Sequence, residues 1–204
     1  SAVEIDLLGF DIDSIISSGS AISYTYNDTV INIQISPAVS QGDSVVLTIY
    51  YHGTPSQDAS GWGGFYFSAG HAFNLGVGFQ ADPHNYGRAW YPCLDNFTAR
   101  SRYDFYITTA AGNKAFCNGT LQGSVTNPNN TITWHWKLNQ SIPSYLASMA
   151  VAPYVTQQKT SNGIPVEFAA FASDTVNINN TFSNLDIALS TYINSYGAYP
   201  FDKV

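Results

Sequence analysis

Apolar and polar residues alternate with a period of two along much of the first 170 positions, the pattern of strands that bury one face. Val3, Ile5 and Leu7 alternate with Glu4 and Asp6, and Phe10 and Ile12 with Asp11 and Asp13. Segments 22–26 and 29–35, joined by Asn27-Asp28, read as a hairpin that Pro37 ends. Gln41-Gly42-Asp43 turns into a strand over 44–51, a breaker cluster follows from His52, and a Gly-rich run leads into 61–67. Turns at such short intervals predict the β-meander of a sandwich. Further strands are predicted at 102–109, 131–138 and 164–171, with turns at Asn118-Gly119 and at 127–130. Over 131–138, Ile132, Trp134, Trp136 and Leu138 share one face, and Thr133, His135 and Lys137 the other. The run from Tyr145 to Ala152 lacks alternation, as a strand buried on both faces does, and Pro143 and Pro153 bracket it.

Two stretches depart from this pattern. From Asn180 to Tyr196, Phe182, Leu185, Leu189, Tyr192 and Tyr196 recur at three- and four-residue steps, one face of a helix. Asn180 or Thr181 is suited to cap its start, and Gly197 to end it in the left-handed conformation. Extended sequence resumes at Ala198. The expectation is a β-domain over 1–176 and the opening of a second domain over 177–204, most of which lies beyond Val204. The other stretch, Gly76 to Asn96, is rich in Gly, Pro and Asp and has little periodicity. It predicts an ordered loop entering a short strand, packed through Phe79, Tyr86, Trp90 and Tyr91. The predicted class is all-β, a large antiparallel saddle-like β-sandwich domain with one C-terminal helix.

Composition sharpens this picture. Only 10% of the 204 residues are charged and 15% are aromatic, a balance that favours sheet over helix, whose surfaces lean on Glu, Lys and Arg. A net charge of −7 with seven Lys plus Arg argues against nucleic acid and anionic membrane as partners. No apolar run approaches the roughly 20 residues of a membrane helix. Low charge with many Asn, Thr and Tyr is typical of exported proteins, so export to the periplasm, cell surface or medium is expected. The N-terminus reads as a cloning boundary or a processing site. Cys93 and Cys117 are compatible both with a disulfide and with two buried thiols.

Chemistry-bearing motifs are scarce. The histidines at 52, 71, 84 and 135 include no His-Glu-x-x-His pair, so these residues supply no gluzincin-type zinc site. His52 reads as a capping or solvent-facing residue, His135 as a solvated one, and His84 as a brace for its loop. There is no Gly-x-Ser-x-Gly elbow, P-loop or dinucleotide fingerprint. Cys93, after Pro92 in an apolar setting, lacks a partner as a nucleophile. Asp82 and Asp95 are placed either to converge as a carboxylate pair or, more simply, to serve as turn and capping residues.

The segment Gly87-Arg88-Ala89-Trp90-Tyr91-Pro92-Cys93-Leu94-Asp95 resembles the Arg-x-x-Phe-Pro-Cys-Phe-Asp-Glu-Pro landmark of a known family. That landmark belongs to the N-terminal β-domain of aminopeptidase N / leukotriene-A hydrolase-like (gluzincin) zinc metallopeptidases. Ser101–Thr108 is similar to the strand after it, Ala115–Gly119 to an Ala-x-Ser-Asn-Gly turn, and Pro143–Ala152 to a Met-Ser-x-Tyr-Leu strand. Tyr199–Val204 resembles a Tyr-Pro-x-x-Lys segment just inside the catalytic domain. Five weak motifs in one order make a specific match, and Ser44–Pro55 fits an earlier family strand. Asn96-Phe97 stands where the family has Glu-Pro.

The resemblance implies that zinc, its ligands and the catalytic Glu belong to the parent protein beyond Val204, with no cofactor in this chain and no activity by itself. Its partners would be peptide substrate and its own catalytic domain, with this domain forming one wall of the cleft. In the family, a Gln or Glu nine residues before the landmark Pro holds the substrate amine. Counting back from Pro92 gives Pro83, so Gln80 or Asp82 takes that role if an insertion reshapes the loop. The other class of function is a carbohydrate- or protein-binding β-sandwich module that stacks sugars on Trp62, Tyr66 and Trp90.

Overall fold

The computed structural model describes all 204 residues, which divide into two compact units. The first comprises Ser1–Phe67, Phe73–Ser101 and Ile142–Ser148; the second comprises Ser68–Ala72, Arg102–Ser141 and Met149–Val204. Both are built of antiparallel strands, and the fold class is all-β.

In the first unit β1 (Ala2–Asp6), β5 (Val30–Gln34) and β4 (Tyr24–Tyr26) form one sheet, and β3 (Ser20–Ala21), β2 (Asp11–Ser17) and β6 (Leu47–His52) another. The predicted hairpin is β4–β5, with Tyr26 opposite Ile31. Its turn is fixed by Asn27, whose Oδ1 accepts from the amides of Thr29 at 3.2 Å and Val30 at 2.8 Å. Alternation aims Leu7, Phe10, Ile15, Ile31, Ile33 and Ile35 into a core flanked by Val3, Ile5, Ile12, Leu47, Ile49 and Tyr51. Burying each such aliphatic side chain contributes about 1.5–3 kcal/mol. The unit is completed by β7 (Gly63–Ser68) and its neighbour β8 (His71–Gly78).

β8 shows where pattern and structure part. Gly76–Gly78, expected in a loop, are its last three residues. The polar Asn74 is buried here, donating from Nδ2 to the Ala147 carbonyl at 3.0 Å, so the alternation carries no hydrophobic signal. Gly76 is required by approach: a Cβ there would lie 1.7 Å from the Tyr145 carbonyl oxygen. The uninterrupted strand expected over Tyr145–Ala152 is also corrected. Ser144–Leu146 is a 3-10 turn, closed by Leu146 N–H to Pro143 O at 3.1 Å and Ala147 N–H to Ser144 O at 3.0 Å.

The second unit contains a sheet of β11 (Thr120–Thr126), β12 (Thr131–Ile142) and β9 (Ser101–Ala110). Beside it are two pairs, β10 (Lys114–Cys117) with β13 (Met149–Ala152), and β14 (Val155–Ser161) with β15 (Ile164–Ala170). The face predicted for β12 is the buried one: Trp136 and Leu138 are each 2% exposed, and Trp136 Nε1 donates to Ala115 O at 2.8 Å. β14, mostly Thr and Gln, has no apolar period and escaped the pattern. The helical stripe resolves into a single turn, α1 (Ile178–Thr181), and the helix α2 (Leu185–Tyr196). The residue before α2 is Asn184, not Asn180 or Thr181, and its side chain makes no capping bond. Gly197 ends α2 at the expected place with φ +96°, but at ψ −175° it is extended rather than in the left-handed helical conformation expected of it. Of the striped residues, Leu189 is buried, and Tyr192 and Tyr196 are exposed.

Candidate functional site

The chemistry-bearing residues of the first unit gather around the segment after β8. Backbone bonds fold this segment onto the strand end: Tyr86 N–H donates to Gly76 O at 2.7 Å, and Gly78 N–H to His84 O at 2.9 Å. His84 Nδ1 lies 3.2 Å from the same Gly78 carbonyl, the loop-bracing contact expected of it. Farther on, Asp6 and Cys93 exchange backbone bonds of 2.8 and 3.0 Å, which pins the landmark to β1.

Asp95 is the centre of that landmark. Its carboxylate is buried and accepts from Ser144 Oγ at 2.6 Å, Arg88 Nη1 at 3.0 Å, and the amides of Gly87 and Arg88 at 3.2 Å each. Its own amide donates to Asp6 Oδ2 at 2.9 Å, and its carbonyl accepts from Asn85 Nδ2. Arg88 donates in addition to the Asn85 carbonyl at 3.0 Å. A buried charge demands such partners, and the protein supplies all of them. Asp95 is therefore a structural hub, and its acceptor capacity is consumed.

Above this hub opens a cleft of about 560 Å³, lined by Asp6, Asp58, Gln80, Asp82, Tyr86, Arg88 and Asp95, among others. Gln80 and Asp82 are both exposed residues of its wall. Asp82 and Asp95 thus line one cleft, and the acceptor sites of Asp95 are already taken by its own donors. Asp58 is the residue that sequence reading missed. Only 4% exposed, it accepts from Ser60 N at 3.0 Å, Ser60 Oγ at 2.5 Å and the amide of Gln80 at 3.0 Å. The Ser60 bond, followed by those of the Gln80, Ser60 and Ala81 amides, lowers its pKa to about 2. The signal was present in Asp58-Ala59-Ser60, an Asp-x-Ser spacing that favours a side-chain-closed turn.

Neither cysteine is bonded: both are free thiols. Burial pushes the Cys93 thiol well above its ordinary value, with the carboxylates of Asp95 and Asp6 adding to it. Cys117 is pushed up to about 12 by burial. Such thiols are poor nucleophiles. The histidines are likewise engaged in local contacts. His52 lies 2.9 Å from Asp13, His71 lies 3.1 Å from the Tyr154 hydroxyl, and His135 lies 2.8 Å from Asp104. No three His, Cys, Asp or Glu side chains are arranged to hold a metal ion, so the donors of this chain do not fit zinc. Of the aromatic trio proposed for sugars, Trp62 is exposed. Tyr66 braces its own turn through Gly63 N at 2.6 Å and Gly61 O at 3.1 Å, and Trp90 packs against Tyr91 and Phe65.

Residues 11–146, which include Asp58, Gln80, Asp82, Arg88 and Asp95, match the family described as the peptidase M1 N-terminal domain. This chain belongs to that family. Solved structures agree on the fold of this M1 N-terminal domain. An M1 zinc metallopeptidase from Deinococcus radiodurans superposes with a TM-score of 0.82 at 19% identity, covering 100% of this chain and 47% of that one. A two-domain M1 zinc metallopeptidase, solved as a point mutant bound to L-arginine, gives 0.82 at 20%, with the same coverage of 100% and 47%. Legionella pneumophila aminopeptidase A in complex with aspartic acid gives 0.80 at 14%, covering 99% of this chain and 24% of that one. The M1 domain here thus spans about half, or less, of the length of these structures. No curated protein sequence matches it.

Proposed function

We propose that this M1 domain forms one wall of the peptide cleft of an aminopeptidase-like zinc metallopeptidase, and that Gln80 and Asp82 receive the substrate's N-terminal ammonium. The observation that carries this reading is an exposed carboxylate and an exposed amide on one cleft wall, two residues apart, on a segment tied down at both ends. An ammonium offers three donors and no acceptor, so a carboxylate and an amide oxygen are its natural partners. The cleft's only cation, Arg88, is engaged by Asp95, which leaves Asp82 free to attract a positive group. Zinc, with its polarisation of the scissile carbonyl, belongs on this reading to the catalytic part, of which residues 177–204 are the beginning. The sparse charge of the chain accords with an enzyme acting after export.

The test is kinetic, on the full-length gene product. A hydrogen bond to a charged group contributes about 1.5–3 kcal/mol. Asp82→Ala should therefore lower kcat/KM on a free-amine substrate by about 10- to 100-fold, and Gln80→Ala by less. Unchanged kinetics in both variants would refute the assignment.

A further inference from the structure

Gln80 and Asp82 lie on a loop, and a loop recognises a ligand only if something fixes it. Asp58 is suited to that task. Its own loop is closed by Gly61 N–H to Asp58 O at 2.8 Å and by Asp58 N–H to Gly63 O at 3.1 Å. From this rigid base the carboxylate accepts the Gln80 amide at 3.0 Å. Ser60 supplies two more donors, so the carboxylate is held in one orientation by its own turn. The opposite wall is shaped to admit it. A Cβ on Gly78 would lie 2.5 Å from Asp58 Oδ2, so only glycine leaves room for the carboxylate at the end of β8. The donor that this buried carboxylate gathers from outside its own turn is the amide of Gln80, at the start of the cleft-lining segment.

Resting on the amine-recognition reading above, we infer that Asp58 is a positioning residue that fixes the Gln80–Asp82 backbone and thereby sets how tightly the cleft holds a substrate's ammonium. Asp58 does not itself need to touch substrate. Its buried carboxylate spends its acceptors on backbone amides, and the ammonium meets the exposed groups that those amides carry. The structural precedent lies within this chain: Asp95 fixes Gly87 and Arg88 by a related device, a buried carboxylate that accepts backbone amides of a neighbouring loop.

The experiment uses the full-length protein, with leucine p-nitroanilide as the free-amine probe and its N-acetyl derivative as the blocked one. Asp58→Asn keeps the size of the side chain and removes the charge that gathers the amides. It should raise KM for the free amine about 10-fold, change kcat less than twofold, and shrink the preference for free over blocked substrate by the same factor. Amide exchange at Gln80 and Ala81 should quicken in parallel. Ser60→Ala, a milder change that removes one donor and leaves the carboxylate, should move KM in the same direction by about twofold to threefold, and it keeps the test available if Asp58→Asn does not fold. If Asp82→Ala collapses the preference while Asp58→Asn and Ser60→Ala leave KM and the preference unchanged, the positioning role is wrong. If Asp82→Ala and Gln80→Ala also leave the preference unchanged, amine recognition itself fails and this inference falls with it.

Discussion

Replacing Asp95 by alanine tests whether the landmark is held together by one buried carboxylate. The side chain of Asp95 is 0% exposed and that of Arg88 is 16% exposed, so the pair is largely shielded from water. The substitution strips the acceptor from four donors at once: Ser144 Oγ, Arg88 Nη1, and the amides of Gly87 and Arg88. Summing four bonds to a charged group at about 1.5–3 kcal/mol each would overstate the loss, because water entering the vacated space satisfies some donors. Removal of one partner of a buried ion pair costs about 3–5 kcal/mol, and that is the expected value here. It is a fifth or more of the roughly 5–15 kcal/mol that stabilises an ordinary domain. Urea unfolding of the 204-residue chain, followed by tryptophan fluorescence, should show the midpoint fall by that equivalent with little change in slope. The double variant Asp95→Asn with Arg88→Met removes both charges and retains an amide oxygen for Ser144 and Gly87, and it should recover most of the loss. A cost below about 1 kcal/mol for Asp95→Ala would refute the hub, since surface pairs reach only that figure.

Four further outcomes follow from the geometry. At acid pH, Asp58 has a folded pKa lowered from 3.8 to about 2, so its contribution is complete above 3.8 and is lost as pH falls towards 2; Asp58→Asn should flatten that part of a melting-temperature profile. At alkaline pH the sign reverses. Cys117 is raised from 9.0 to about 12 and Tyr51 from 10.0 to about 12, with burial the larger cause in both, so stability present below 9 should drain away towards 12. A melting temperature flat from pH 8 to 11 would contradict this. Neither thiol should react readily with a disulfide reagent at pH 8 until urea unfolds the chain, and rapid native labelling would contradict the burial of Cys117 and the raised pKa of the half-buried Cys93. Gly76→Ala should prevent soluble folding, because its Cβ would meet backbone, the Tyr145 carbonyl at 1.7 Å, rather than a side chain able to swing away.

Much of the strand architecture was legible because alternation survives wherever one face is apolar. The β4–β5 hairpin declared itself through Asn27-Asp28, and the β12 face through Trp134 and Trp136. β8 and β14 were hidden for opposite reasons: β8 buries Asn74 and glycines, and β14 exposes a run of Thr and Gln. The helix stripe was visible from its spacing, but α2 starts at Leu185 and covers only Leu189, because period reports a face and not what packs on it. At the site, the landmark was legible as a string of special residues, and the role of Asp95 as turn-former was the simpler of two readings. The turn at Asp58 left a signal in Asp58-Ala59-Ser60, but its bond to Gln80, 22 residues away, was not legible, nor was that of Ser144 to Asp95, 49 residues away. Long-range hydrogen bonds leave no period in a sequence.

The most direct measurement is the ratio of kcat/KM for leucine p-nitroanilide to that for its N-acetyl derivative in the full-length protein, before and after Asp82→Ala. Recognition of an ammonium by this domain predicts a large ratio that the substitution lowers by about 10- to 100-fold, mainly through the free-amine substrate. A ratio that Asp82→Ala leaves untouched, with activity otherwise intact, would show that the amine is held elsewhere.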